Sequence, residues 1–281
     1  MTSSVPMMTI SRILAVLLII GTEVAAQAIL PPGAPELAPI TDAEIIAALQ
    51  GDDEGAKYAA IGKADYTVAP GSLRPETVAA IALEFKKALR ASESRYEAFL
   101  AGTGEQPTEG SHGDYIAELA SLLIENVSPP HADGIDALAE VVHLGRPMLT
   151  LVELGNAAVP SLVRVARINP RRFDSGRMQD AMEALGRMLE SAKIRPTLTP
   201  NSHAVIRQLA ADRMRTLRGD DNARNLAAAA YLAVATGDRQ LRTEAAALVD
   251  NDSEFFRRDI SVQVGQEVSD SVRQALEKFP Q

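Results

Sequence analysis

Apolar residues in this chain recur three and four positions apart, and glycine, proline and asparagine interrupt the recurrence at short intervals. That spacing is the mark of amphipathic helices. Thr41-Asp42-Ala43-Glu44 has the capping-box spacing and predicts a first short helix, ended by "GDDEG" at 51–55. A second short helix is expected over 54–64, then a loop over 65–75 with the turn signal Pro70-Gly71. Pro75 suits a first helical turn. The longest helix is expected over 75–100, with Val78, Ile81, Ala82, Phe85, Leu89, Tyr96, Phe99 and Leu100 on one stripe. Lys86, Lys87, Arg90, Glu93 and Glu97 fall mainly opposite. A polar loop at 101–113 precedes a helix over 114–126. Asp133 is expected to cap a helix over 134–144 that Gly145 ends. Pro147 then opens a very short helix reaching Leu154, and Asn156 is expected to cap the next, running to Ile168. Asp174 or Ser175 begins another, with Met178, Ala181, Met182, Leu185, Met188 and Leu189 on one face. After a loop at 194–202, helices are expected over 203–218, 222–236, 238–249 and 262–279. No run of alternating β-branched residues predicts a sheet.

The stops recur. Leu154-Gly155 and Leu185-Gly186 are 31 residues apart, and Gly155-Asn156 and Gly237-Asp238 are 82 apart, close to two helical-repeat units of about 41. "LVELGNAAVPSLVRVAR" at 151–167 resembles the hinge of a HEAT-like repeat, with Leu151, Leu154, Ala158, Val159, Pro160 and Leu162 at matching places. "LAVATGDRQLRTEAAALV" at 232–249 is similar. The likeness is best over 145–170 and 222–250, irregular in period and weak before 113. It implies an all-α fold: an elongated, irregular α-solenoid of stacked αα-hairpins over 113–281, with 41–112 as a cap or degenerate repeats. It also implies a structural arginine between neighbouring repeats, and Arg213 stands among Ile206, Leu209 and Ala210 of its helix. One short hairpin cannot bury both faces alone, so neighbours must stack on it. Leu162 is then a core residue, Pro160 is tolerated in a first turn, and Gly155 is free to take the left-handed conformation that ends a helix.

Composition fits a folded helical protein. Of 281 residues 46% are hydrophobic, the mean hydropathy is −0.02, only 4% are aromatic, and tryptophan and cysteine are absent. Without cysteine there is no disulfide, thiolate nucleophile or lipid-modified cysteine. Residues 1–26 have the parts of a signal peptide: Arg12 as the positive flank, an apolar run at 13–20, and Val24-Ala25-Ala26 as a cleavage site. Export to the periplasm or outside the cell is expected; an uncleaved segment would instead be an N-terminal membrane anchor. A Pro-rich linker, 27–40, follows.

Catalytic and metal signatures are scarce. His112, His131, His143 and His203 show no metal-ligand spacing, and His143 is placed near a helix end, where a cation is favoured. "SHGDY" at 111–115 brings His112, Asp114 and Tyr115 together. A polysaccharide lyase-like enzyme uses a tyrosine and a histidine as acid and base; the plainer reading is that Ser111 or Asp114 caps a helix. Neither a GxSxG elbow nor a phosphate loop occurs, so no catalytic residue, metal or cofactor is assigned.

Charge is uneven. Residues 27–159 hold 8 basic and 20 acidic residues, 160–224 hold 13 and 7, and 225–281 hold 6 and 9. The middle island is rich in arginine, and Arg164, Arg167, Arg171, Arg172, Arg207, Arg215 and Arg218 are the candidate binding patch. Either it meets an acidic partner, or its arginines pair locally with residues such as Asp174, Asp180, Glu183, Asp212 and Asp220. A pI near 5.1 and few aromatics argue against nucleic acid. The expectation is an exported, non-enzymatic scaffold or adaptor for a protein partner or an anionic envelope polymer. The alternatives are the envelope enzyme and a purely structural spacer. The opposite charge of the two regions also permits self-association.

Overall fold

Twelve α-helices and no strand stand among the described residues, as the pattern predicts. A computed structural model describes residues 38–104, 111–168, 174–219, 223–250 and 262–279. The expected signal peptide, residues 27–37 of the expected linker, Arg171 and Arg172 lie outside them. The helices are α1 (Asp42–Gln50), α2 (Glu54–Thr67), α3 (Pro75–Leu100), α4 (Ser111–Asn126), α5 (Ala132–Ala139), α6 (Gly145–Leu154), α7 (Val159–Ala166), α8 (Asp174–Glu190), α9 (Pro200–Thr216), α10 (Ala223–Ala235), α11 (Arg239–Asp250) and α12 (Val262–Lys278).

Local chemistry sets most of the ends. Thr41 and Glu44 form the expected capping box of α1. Asp53 caps α2 by accepting from the Ala56 amide at 3.2 Å, and that helix runs three residues past the expected 64. Pro75 sits in the first turn of α3. α5 departs from expectation. It begins at Ala132, follows His131 rather than being capped by Asp133, and stops at Ala139. Residues 140–144 form turns, so Gly145 opens α6 instead of ending α5. Asn156 also departs: it lies in a 3₁₀ turn, Gly155–Ala157, and makes no cap on α7. Gly155 ends α6 with φ +53°, a conformation costly for other residues. α6 with its 3₁₀ turn and α7 meet at 118°.

The helices pack in chain order. Each principal contact among the described residues joins a helix to the next or next but one: α1 to α2 and α3, α3 to α4 and α5, α5 to α6 and α7, α8 to α10, α10 to α11 and α12. One apolar core runs through these contacts from Ile45 to Ala275, so 41–112 and the chain beyond share it. Leu162 is fully buried there, whereas Pro160, beside it in α7, is exposed. The six predicted residues of α8 are all buried. In α3 the buried stripe holds only to Ala88, and Leu100 ends exposed. Small residues set the closest approaches. A Cβ on Gly186 of α8 would stand 2.2 Å from Cε1 of Tyr231 in α10, so only glycine admits that ring.

Polar bonds between helices reinforce the order. Oδ1 of Asp42 in α1 accepts from the Arg74 amide at 3.0 Å and from the Thr77 hydroxyl, capping α3 from its neighbour. Oδ1 of Asn156 accepts from the Thr199 amide and the Ser202 hydroxyl, both at 2.8 Å, and its Nδ2 donates to the Thr197 carbonyl at 2.5 Å. Thr199 caps α9 by accepting from the Ser202 amide, and Asn156 braces that cap rather than capping α7. Arg213 of α9 donates to the Ala166 carbonyl at 2.6 Å and the Ile168 carbonyl at 3.1 Å, satisfying the end of α7. Arg213 thereby joins α9 to α7. Arg242 of α11 does the same for α12, donating to the carbonyls of Leu276 (2.5 Å) and Phe279.

Candidate functional site

The predicted arginines separate into different settings. Arg164 of α7 is held inside the protein's own charge network: it pairs with Asp136 of α5 at 2.7 Å and with Glu140, just past the end of α5, at 2.8 Å. Lys86 of α3 approaches the other oxygen of Asp136 at 2.8 Å. Arg177 of α8 joins Glu93 of α3 and reaches Glu140 at 3.7 Å. Four helices are thereby linked by alternating charges. Burial alone would raise the Asp136 carboxyl, but hydrogen bonds from Lys86 and Arg164 hold it below its ordinary value. The acids that neutralise Arg164 come from the acidic region rather than from the local Asp174 or Asp180.

Arg207, Arg215 and Arg218 are exposed, on α9 and the turn after it. Arg215 pairs with Asp212 of its own helix at 2.8 Å, as anticipated. Arg207 and Arg218 each have an acid at 4.0 Å, Asp238 and Glu244, at the start of α11 and on it. Such exposed pairs are weak and salt-sensitive, so these guanidiniums can exchange partners readily. Arg167 is exposed at the end of α7 and makes no ion pair among the described residues.

Of the "SHGDY" stretch, the described side chains Asp114 and Tyr115 take opposite settings. The side chain of His112 lies outside the described residues. Asp114 is exposed, whereas Tyr115 is 2% exposed and stacks on Tyr58 with ring centres 4.2 Å apart. Burial, with the Glu84 carboxylate nearby, pushes the Tyr115 phenol well above its ordinary value. His143 also differs from expectation. Its Nδ1 is buried without a partner, and burial lowers its pKa, so the site disfavours a cation. His131 precedes α5 without capping it, and His203 lies in the first turn of α9. No group of three acidic or histidine side chains suited to a metal occurs among the described residues.

Tertiary structure also builds a basic concavity that no single stretch of sequence contains. A cleft of about 460 Å³ lies among the loop after α8, the α10–α11 turn and the end of α12, with Arg195, Gly237, Arg239, Arg242, Lys278 and Phe279 along it. The signal in the sequence was incomplete: Arg195 belongs to the island, but its three basic companions lie beyond it.

The described chain is an all-α protein whose helices pack in succession. No known family, characterised protein or solved structure matches it.

Proposed function

We propose that the protein is an exported, non-enzymatic scaffold of HEAT-like stacked helical hairpins that binds an acidic macromolecule. One observation carries the reading: among the described helices, every principal contact falls on the next or the next but one. Packing of that order is what a solenoid requires, and stacking in one direction leaves a continuous lateral surface for a partner. The composition of the leader supports export. The binding surface is the exposed arginine face of α9, Arg207, Arg215 and Arg218, with Arg167 beside the preceding hairpin. Arg164 serves internal cohesion instead. A protein partner with carboxylates, or an anionic envelope polymer, would exchange with Asp212, Asp238 and Glu244 at small cost because those pairs are solvated.

The test is capture from an envelope extract by wild type and by the triple variant Arg207→Glu/Arg215→Glu/Arg218→Glu. A partner retained by wild type at low salt and lost by the variant is the expected result. The same partners on both proteins would remove this face from the reading, and no partner on either would overturn it.

A further inference from the structure

The cleft at the end of α10, α11 and α12 differs in kind from the α9 face. It is concave, and its lining among the described residues includes four cationic side chains and no carboxylate. Two of the four are already committed. Arg242 donates to the last carbonyls of α12, and Lys278 pairs with Glu190 of α8. Asp238, next to the cleft in sequence, accepts from the amides of Gln240 at 3.0 Å and Leu241 at 3.1 Å, so it caps α11. Arg195 and Arg239 are left. Both are exposed, and neither makes an ion pair among the described residues. Gly237 turns the backbone at φ +73°, and a Cβ there would lie 3.8 Å from Nη2 of Arg195, so the guanidinium rests against bare backbone. Phe279 supplies an aromatic wall, its ring centre 6.4 Å from that of Tyr231 in an edge-on arrangement. Val234 and Ala235 of α10 add apolar lining.

We propose that this cleft binds a phosphate monoester, its dianion on Arg195 and Arg239 and its organic body against Phe279. The charge matches: two uncompensated guanidiniums face a group that carries roughly −1.5 to −2 near neutral pH. The chemistry matches too, because guanidinium forks donate in pairs to phosphate oxygens, whereas a single carboxylate occupies only one fork. A cleft of about 460 Å³ is the size of a small-molecule site. Apolar lining next to the cations favours an ester over free phosphate. The ester is either a soluble small molecule or the headgroup of a lipid. The inference goes beyond the scaffold reading and does not depend on it.

The experiment is calorimetric titration of the full chain with phenyl phosphate and with inorganic phosphate. A parallel arm measures flotation on phosphatidic acid vesicles against phosphatidylcholine vesicles. Saturable binding of phenyl phosphate, at least about tenfold tighter than inorganic phosphate, is expected. The double variant Arg195→Glu/Arg239→Glu should lose it while melting at the wild-type temperature, since both side chains are exposed. Should that variant melt early, Arg195→Gln/Arg239→Gln replaces it. Phe279→Leu should bring phenyl phosphate down to the level of inorganic phosphate. Flotation on phosphatidic acid that phenyl phosphate competes away identifies a lipid source; saturable titration without flotation identifies a soluble ester. Absence of saturation, or unchanged affinity in a folded double variant, overturns the site. Equal affinity for the two phosphates overturns the role of Phe279. A failed capture experiment from envelope extract has no bearing on these readings.

Discussion

Single residues set the closest contacts in this protein. Gly186 admits the Tyr231 ring between α8 and α10, and the Tyr231 hydroxyl then donates to Glu190 at 3.1 Å. Burial pushes that phenol up to about 12. Gly186→Ala improves helix propensity but forces the ring to move, so a net loss of about 1–2 kcal/mol is expected. Chemical denaturation checks it, and Tyr231→Ala in the same chain should abolish the penalty. Leu162 and Pro160 offer the opposite contrast. Leu162→Asp places a carboxylate in the core and should unfold the protein, whereas Pro160→Leu acts at an exposed first-turn position and should cost under about 1 kcal/mol. Equal melting temperatures for wild type and Leu162→Asp would remove Leu162 from the core.

Among elements, helix ends are completed by their neighbours. Asn156, Asp42, Arg213 and Arg242 each satisfy the terminus of a helix other than their own. The Asn156 side chain makes three hydrogen bonds, one of them from the Thr199 amide at the start of α9, so Asn156→Ala should destabilise by about 1–3 kcal/mol. Arg213→Met should cost a similar amount by orphaning the end of α7. Amide hydrogen exchange distinguishes the two: the first should open the start of α9, the second the end of α7. Global loosening without local preference would contradict the capping account. From sequence Asn156 read as a cap for α7, because a cap is recognised by its place before a helix. Its actual partners are 41 to 46 residues away. The boundary of α5 failed for the related reason that its apolar pattern continues through Val141 and Val142, which are buried in turns rather than in helix.

Over the whole molecule, charge ties the acidic and arginine-rich regions together. The chain Lys86–Asp136–Arg164–Glu140–Arg177–Glu93 spans α3, α5, α7 and α8. Because the Asp136 carboxyl is held low, its stabilisation is present above the ordinary carboxylate range and is lost as pH falls through its folded value. Asp180 acts in the other direction. Burial, with Glu183 second, raises its pKa from 3.8 to about 6, so the fold loses stability as pH rises through that window. Asp180→Asn should therefore stabilise the protein near pH 7.5, by up to about 3 kcal/mol, and do nothing near pH 3.5. Urea denaturation at both values decides it; an equal gain at each would show that charge is not the cause.

The helical class, most helix positions and the α8 core face were legible in the chain alone. These follow from periodicity, propensity and capping chemistry, which act over a few residues. Only tertiary structure decided which arginines are consumed and which remain. Arg164 reads as surface in the sequence and is spent on Asp136 and Glu140. Arg239 and Lys278 lie outside the arginine-rich island in the sequence and meet Arg195 in one cleft. Electrostatic partners are fixed by distance in space, and a linear charge count has no access to it.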